Sequence, residues 1–149
     1  MGKKTVALAM ADTAFSRYIR RRYADEHTGR TNCVTCGVNQ HWSDMDCGHY
    51  ISRSVWSVRF DTFNCMAQCR KCNRFENGKS ERFRAELVRL RGLSAVESLE
   101  RRAKRKAQVP FSIDALTVIT KLYRSLANGH EIKTDKIIRD EIQKIQAEF

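Results

Sequence analysis

Apolar side chains recur every three or four positions through most of the chain, which is the spacing of an amphipathic helix. The pattern predicts helices over residues 12–25, 80–91, 91–108 and 112–128, and one more after Thr134. Leu90 and Ile113 are expected on inward faces, Ser94 with Glu97 is expected to form a capping box, and Thr134 is expected to cap the last helix.

Two short segments alternate apolar and polar residues instead. Residues 41–50 and 57–64 are predicted to be short strands, with Asp61 facing solvent on the second one. Residues 68–76 are predicted to open a short helix that Asn77 and Gly78 end. We therefore expect a mostly helical α+β fold in which a small cysteine-rich β-hairpin lies among helices.

Composition favours a folded protein of one main domain. The chain has 149 residues, 42% of them hydrophobic and only one a proline, which argues against disorder. The sequence shows no stretch of about 18 apolar residues and no signal-peptide core, so we expect a cytoplasmic protein. In that compartment its six cysteines are expected to be metal ligands or free thiols.

The formal charge of +11 is unevenly distributed. It is +4 over residues 1–32, +1 over 33–78, +6 over 79–108 and zero over 109–149. Basic flanks around a central segment are typical of a groove that binds nucleic acid, although a solvated surface is the alternative. We predict a basic domain over 1–108 and a helical extension over 109–149, whose apolar stripes are either core or a dimer interface.

Two Cys-x-x-Cys pairs, Cys33 with Cys36 and Cys69 with Cys72, suggest a zinc ion. Four thiolates fill all positions of a tetrahedral ion, so such a zinc would be structural and could not activate water. The alternative is four buried or redox-active cysteines. Cys47 and Cys65 are left over, and Cys47 is either an alternative ligand or, like Cys65, a small buried thiol.

The 32 residues between the two pairs, together with Asn73 directly after the second pair, carry candidate chemistry. Asp46 and Asn73 offer the oxygen ligands that Mg²⁺ or Mn²⁺ prefers, and His49 has a side chain suited to act as a general base. Such a set could cleave a phosphodiester, because the ion would neutralise charge on the phosphate. Each of these residues alone would be an ordinary polar residue, and only their order beside the cysteines is informative.

The order C-x-x-C, D-x-x-H, N, C-x-x-C-N resembles the ββα-metal nucleases, also called His-Me finger or HNH nucleases, in their His-Asn-Asn variant. The resemblance implies a zinc-stapled ββα-metal core with flanking helices. It makes His49 the general base, Asn64 the brace of the catalytic loop, and Asn73 a metal ligand. In the similar endonuclease VII of T-even phages, the positions matching Asp46 and Asn73 hold the catalytic metal, and Glu76 matches a further acidic residue.

A closer resemblance, over about residues 12–126, is to the NinG (Rap) recombination endonucleases of lambdoid phages. It rests on "FSRYIRRRY", "CVTCG", "DCGHYISR", "FDTFNCMAQCRKCN", "NGKSERFRAELVRLRG" and "AVESLERRAK". It implies cleavage of branched DNA such as Holliday junctions and D-loops, with recombination proteins as possible partners. A junction needs two strands cut, which favours a homodimer. Gly48 departs from the acidic residue that many HNH enzymes carry directly before the base.

DNA would be the partner of this site, and no membrane is expected. Arg53 could hold the scissile phosphate or make a generic backbone contact. Basic residues on both flanks are predicted to contact DNA: Arg17, Arg20, Arg21, Arg22, Arg53, Arg70, Arg74, Arg101, Arg102, Lys104, Arg105 and Lys106. The alternatives are a nonspecific or homing-type HNH endonuclease, and a zinc-bearing DNA-binding protein without catalysis.

Overall fold

A computed structural model describes residues 1–76, 79–105, 110–129 and 133–148. The helices are α1 (Lys3–Arg21), α2 (Ser80–Arg91), α3 (Leu93–Ala103), α4 (Ile113–Ala127) and α5 (Asp135–Glu148). The strands are β1 (Arg30–Asn32), β2 (Asn39–His41), β3 (Met45–His49) and β4 (Cys65–Cys69). β1 pairs with β2 and β3 with β4, both antiparallel. The mostly helical α+β prediction is confirmed, and within these ranges no helix is both long and apolar enough to cross a membrane.

The main core joins α1 to α4 and α5. Phe15 and Ile19 of α1 lie in one buried cluster with Ile119 and Tyr123 of α4 and Ile138 of α5. The apolar stripes of the C-terminal helices are therefore buried within this chain, since α1 and the C-terminal helices share one core. The domain boundary at residue 108 and the homodimer both stay predictions.

The β3–β4 ladder lies between two packed layers. Phe60 and Cys65, around the start of β4, belong to the main core, and the Tyr123 hydroxyl donates a hydrogen bond of 2.7 Å to the Phe60 carbonyl. A second cluster contains Phe83 and Leu87 of α2 with Val96 of α3. The ladder is thus held by helices from both halves of the chain.

The strand predicted over residues 57–64 is wrong. This segment forms two 3-10 turns, Trp56–Val58 and Thr62–Asn64, because Asp61 accepts a hydrogen bond from the Phe63 N–H and caps the second turn. Asp61 does not face solvent either. It is 4% exposed and accepts a 2.6 Å hydrogen bond from the Arg102 guanidinium of α3.

Several boundaries and faces also differ from the prediction. α1 starts at Lys3, well before residue 12, and only 45–49 of the predicted strand 41–50 forms β3. Leu90 and Ile113 are 48% and 42% exposed, so neither lies on an inward face. α3 starts at Leu93 with Gly92 as its N-cap, which leaves Ser94 inside the first turn, where it cannot act as the N-cap.

The short helix and the last cap agree with the pattern. Residues Lys71–Phe75 form a π-helical turn within the predicted segment 68–76, and the predicted stop at 77–78 lies outside the described residues. The Ile137 N–H donates to the Thr134 hydroxyl at 3.4 Å, at the start of α5.

The buried Asp61–Arg102 pair gives a test of the fold. Asp61→Ala should lower the free energy of unfolding by about 3 to 5 kcal/mol, because it leaves the Arg102 guanidinium buried without its counter-charge. Glu86→Ala, which breaks the exposed pair with Arg89, should cost less than about 1 kcal/mol. Urea unfolding of both variants measures the difference, and equal losses would show that the Asp61 pair does not stabilise the fold.

Candidate active site and metal centres

A cavity of about 490 Å³ opens between β3 and α1. Three predicted site residues, Asp46, His49 and Asn73, line it together. The other lining residues are Asp12, Phe15, Ser16, Cys47, Ser52, Arg53 and Arg74. The structure therefore brings the predicted base, both predicted ligands of the catalytic metal and two basic residues to one cavity, which we call the His49 cavity.

Asp46 and Asn73 touch each other across this cavity. The Asn73 side-chain amide donates a hydrogen bond of 2.9 Å to one Asp46 oxygen, and Arg74 donates to both oxygens at 2.8 and 2.9 Å. Burial by itself raises the pKa of Asp46, but these hydrogen bonds outweigh it and lower the pKa below its ordinary value. The carboxylate is therefore ionised at neutral pH and faces a carboxamide.

His49 ends strand β3, as predicted, and its ring lies between two backbone carbonyls. Nδ1 lies 3.3 Å from the Cys47 carbonyl oxygen and Nε2 lies 3.3 Å from that of Arg59. Burial lowers the pKa of His49, while the two carbonyls act in the opposite direction. The imidazole is thus neutral at pH 7, with one nitrogen able to donate to a carbonyl and the other carrying a lone pair.

Asn64 holds the loop that follows His49. Its side-chain oxygen accepts from the Ile51 N–H at 2.8 Å, and its amide donates to the Ile51 carbonyl at 2.8 Å and to the Val58 carbonyl at 3.2 Å. The backbone carbonyl of Asn64 accepts from the Tyr50 N–H at 2.9 Å. Asn64 is fully buried, and these contacts fix the loop between β3 and β4.

Gly48 departs from the HNH pattern for a steric reason. It pairs with Met66 in the ladder, and a Cβ at Gly48 would lie 2.8 Å from Cβ of Gln68 and 3.1 Å from the Phe83 ring. An acidic side chain cannot fit there without displacing buried residues. Among the residues that the structure describes in this cavity, Asp46 is therefore the carboxylate that directly contacts Asn73.

Sequence reasoning missed Asp12 and Arg59. Arg59 donates to both Asp12 oxygens at 3.1 and 2.6 Å, and its carbonyl faces His49. The pair ties α1, which forms one wall of the cavity, to the segment that positions the imidazole. These two residues are 47 positions apart, and no local spacing in the sequence signals their contact.

The second predicted centre is the four-cysteine cluster, Cys33, Cys36, Cys69 and Cys72. Its four sulfur atoms lie within 4.8 Å of one another, and the sulfurs of Cys36 and Cys69 are 3.7 Å apart. A zinc ion with bonds of about 2.3 Å to sulfur sets a tetrahedral S···S edge of roughly 3.8 Å. The cluster could therefore hold a zinc ion with little movement.

The cluster eases loss of a proton at Cys33, whereas burial raises the pKa of Cys69 above its ordinary value and that of Cys72 to about 12. Burial raises the pKa of Cys33, but hydrogen bonds from the Cys36 backbone and the Thr35 hydroxyl lower it to about 6. Cys69 and Cys72 lie on either side of the junction between β4 and the turn that carries Asn73. A zinc ion here would fix that turn against the knuckle at 33–36.

Cys47 and Cys65 lie outside this cluster. Cys65 is fully buried in the main core, and burial raises the pKa of its thiol well above the ordinary value. Cys47 is partly buried and lines the His49 cavity. The small buried thiol predicted for the leftover cysteines thus fits Cys65, whereas Cys47 reaches the cavity.

The predicted DNA contacts divide into exposed and buried groups. The prediction that Arg22 contacts DNA is wrong, because its side chain is 4% exposed and is held by Asp135 and two backbone carbonyls. The prediction that Arg102 contacts DNA is wrong for the same reason, since its buried side chain is held by Asp61. Arg20 and Arg21 both stack on Trp42. The exposed members are Arg17, Arg53, Arg70, Arg74, Arg101, Lys104 and Arg105, and Lys106 lies outside the described residues.

Arg53 and Glu76 differ in their placement. Arg53 is exposed and lines the His49 cavity, so it can reach a phosphate bound there. Glu76 is absent from the described lining of the cavity and forms an ion pair with Lys79. The hydrogen bond from Lys79 lowers the pKa of Glu76. The role carried over to Glu76 stays a prediction.

The four-cysteine cluster predicts one tightly bound zinc ion per chain. Cys36→Ala should weaken zinc binding by at least about 100-fold, because it removes one of four thiolates. Cys47→Ala should keep the tight ion. Competition with a chromophoric chelator measures both affinities. Tight zinc that survives in Cys36→Ala, or is lost in Cys47→Ala, would contradict the assignment.

Comparisons with known proteins agree on one family. The family model described as bacteriophage lambda NinG protein matches residues 3–148. A protein named ninG from Escherichia phage 933W is 31% identical to this chain over 96 residues, covering 62% of the chain and 44% of its own length. The protein of that name from Salmonella phage P22 is 31% identical over 101 residues, covering 66% of the chain and 46% of its own length. The ninG protein of Escherichia phage lambda is 30% identical over 96 residues, covering 62% of this chain and 43% of its own length.

The chain spans less than half the length of these curated relatives. No solved structure matches it. The family match nonetheless runs through nearly the whole chain, from α1 to α5, and includes both the four-cysteine cluster and the His49 cavity. The protein therefore belongs to the bacteriophage lambda NinG protein family.

Proposed function

We propose that this protein is a metal-dependent endonuclease that nicks branched DNA recombination intermediates. The observation that carries the proposal is the 2.9 Å contact between the Asp46 carboxylate and the Asn73 carboxamide in a cavity that His49 also lines. Two oxygen ligands beside a neutral imidazole are what a ββα-metal nuclease needs. The strands β3 and β4 with the turn 71–75 supply these groups in the order of that motif.

Asp46 and Asn73 would hold Mg²⁺ or Mn²⁺. Such an ion supplies positive charge for the phosphate as negative charge builds on it. Asn73 now points its amide nitrogen at Asp46, and rotation of the amide by half a turn would present its oxygen to a cation instead. Zinc in the four-cysteine cluster would hold Asn73 in place, because Asn73 directly follows Cys72.

His49 would take the proton from the attacking water. The imidazole is neutral at pH 7 because burial lowers its pKa, so a lone pair is available without a prior deprotonation step. A backbone carbonyl on each side of the ring limits its rotation. Asn64 fixes the adjoining loop, so that Arg53 is held near the same cavity, where it could neutralise the phosphate.

Arg74 would exchange partners when DNA binds. It is 57% exposed and occupies both oxygens of Asp46 in the free protein. A DNA phosphate would attract the Arg74 guanidinium and leave the Asp46 carboxylate open to a cation. Binding of DNA and completion of the metal site would then be coupled.

The exposed arginines around the cavity favour DNA as the substrate, and the family resemblance supports branched DNA. Arg17, Arg53, Arg70 and Arg74 lie in or beside the elements that form the cavity, and Arg101, Lys104 and Arg105 lie at the C-terminal end of α3 or just after it. Each cation that neutralises a phosphate should add roughly 0.9 to the slope of log affinity against log salt. The preference for branches rests on the resemblance to recombination endonucleases.

Substitution of His49 tests the catalytic part of the proposed function. His49→Ala should lower Mg²⁺-dependent nicking by about 10² to 10⁴-fold, because it removes the proposed acceptor of the proton, while DNA affinity changes little. His27→Ala, in an exposed loop, is the matched control. Nicking of a labelled four-way junction and a gel-shift titration measure the two properties. Full nicking activity of His49→Ala would contradict the assignment of His49 as the general base.

Substrate comparison separates the alternatives. A branch-specific nuclease should nick a four-way junction at least about tenfold faster than a linear duplex of the same sequences, a difference of roughly 1.4 kcal/mol in barrier. Equal rates would instead indicate a nonspecific nuclease. No cleavage of either substrate with Mg²⁺ or Mn²⁺, together with intact binding, would indicate a zinc-bearing DNA-binding protein.

The Arg74 contact predicts a gain in metal affinity. Arg74→Gln should tighten Mn²⁺ binding to the DNA-free protein by roughly fivefold, because the exposed guanidinium no longer competes for Asp46. Arg89→Gln serves as the control, since it alters an ion pair on the outer face of α2. Mn²⁺ binding followed by electron paramagnetic resonance gives both affinities. Unchanged or weaker binding in Arg74→Gln would contradict the exchange.

A further inference from the structure

A second group of metal-binding side chains lies beside the proposed catalytic residues. Cys47 and His49 project from the same face of β3, since they are two positions apart in a strand. Cys65 is the direct ladder partner of His49 in β4. The two sulfur atoms and one imidazole nitrogen lie within 4.8 Å of one another, and none of them belongs to the four-cysteine cluster.

The spacing of this trio suits a zinc ion. Bonds of about 2.3 Å to sulfur and 2.0 Å to nitrogen set tetrahedral edges of roughly 3.5 to 3.8 Å. Two thiolates and an imidazole are ligands that select Zn²⁺ over Mg²⁺. The three atoms lie within 4.8 Å of one another, and rotation of each cysteine about its Cα–Cβ bond can move the sulfur atoms toward these separations.

The trio is also accessible from one side. Cys65 is fully buried, but Cys47 and His49 line the His49 cavity, so an ion can enter there. The fourth position of a tetrahedral ion would face the cavity and could hold water. The other reading is that both thiols only fill space in the core, where Cys65 is packed and Cys47 is partly buried.

We propose that Cys47, His49 and Cys65 form a second zinc site, and that zinc bound there switches off the nuclease by occupying His49. The switch rests on the proposed function, whereas the metal site does not. Binding forms two Zn–S bonds and one Zn–N bond, and each thiol releases one proton to solvent. The bound imidazole nitrogen then has no lone pair with which to accept a proton from water.

This site should bind more weakly than the four-cysteine cluster. It offers three protein ligands in place of four, so one fewer bond to the protein holds the ion. Zinc would therefore fill the four-cysteine cluster first and the trio second. The protein would be active with one zinc ion and inactive with two.

Metal stoichiometry tests the site without any assay of activity. The reduced full-length chain, loaded with one equivalent of zinc, is titrated with Co²⁺, whose thiolate charge-transfer absorption reports a second thiolate site. The wild type should take up a second equivalent. Cys47→Ala should not, and His27→Ala should behave like the wild type. A wild type that shows no thiolate-bound cobalt, or a second equivalent that persists in Cys47→Ala, would overturn the site.

Nicking with buffered zinc tests the switch. Each protein is compared with its own rate at the lowest zinc level, in Mg²⁺ throughout. Filling the second site should slow wild-type nicking by at least about tenfold. Cys47→Ala should lose less than about twofold over the same zinc range. Equal inhibition of both proteins, or a second zinc ion that binds without slowing the wild type, would overturn the switch.

The cobalt titration and the nicking assay together distinguish a failure of this inference from a failure of the proposed nuclease function. If no variant nicks DNA under any condition, the nuclease proposal and the switch both fail. The cobalt titration then still decides whether the trio binds metal. If nicking is normal and the trio binds no second metal ion, the nuclease stands and this inference fails.

Discussion

The antiparallel pairing of β3 with β4 decides where the residues of the candidate site lie. Its register places Met45 opposite Cys69 at one end and His49 opposite Cys65 at the other. One end of the ladder therefore meets the four-cysteine cluster, and the other end meets the main core. A shift of the register by one residue would turn every side chain of β3 to the other face and give both Asp46 and His49 new neighbours in β4. The fully buried Asn64, just before β4, helps to hold this register through its backbone bond to Tyr50.

The β3–β4 ladder is short, and three sets of contacts can stabilise it from other parts of the chain. The four-cysteine cluster could tie the knuckle at 33–36 to the end of β4 through a metal ion. The ion pair of Asp12 with Arg59 ties the ladder region to α1, and that of Asp61 with Arg102 ties it to α3. Removing one partner of the buried Asp61–Arg102 pair leaves the other charge uncompensated, whereas the Asp12 side chain is 25% exposed and its removal should cost less.

The sequence was informative where chemistry depends on local spacing. The two Cys-x-x-Cys pairs indicated a four-cysteine cluster that could hold zinc, and the structure brings these four sulfurs together. Predicted helices followed from apolar periodicity, with Ser80–Arg91 matched at both ends. What sequence reasoning missed depends on distant partners. Arg22 was predicted to be a surface cation but is paired with Asp135, 113 residues away. Asp61 was predicted to be exposed but is paired with Arg102, 41 residues away. No periodicity carries such information, because tertiary contacts alone decide which charges are buried.

The central claim is that a hard, oxygen-ligated ion lies between Asp46 and Asn73, apart from any thiolate-bound zinc. Crystals of the protein grown with zinc and soaked in Mn²⁺ test it most directly, by anomalous scattering recorded at the absorption edges of both metals. The account predicts a zinc peak among Cys33, Cys36, Cys69 and Cys72 and a separate manganese peak within about 2.2 Å of an Asp46 oxygen and the Asn73 side-chain oxygen. A protein that nicks DNA with Mn²⁺ while its manganese peak lies away from both residues would contradict the account.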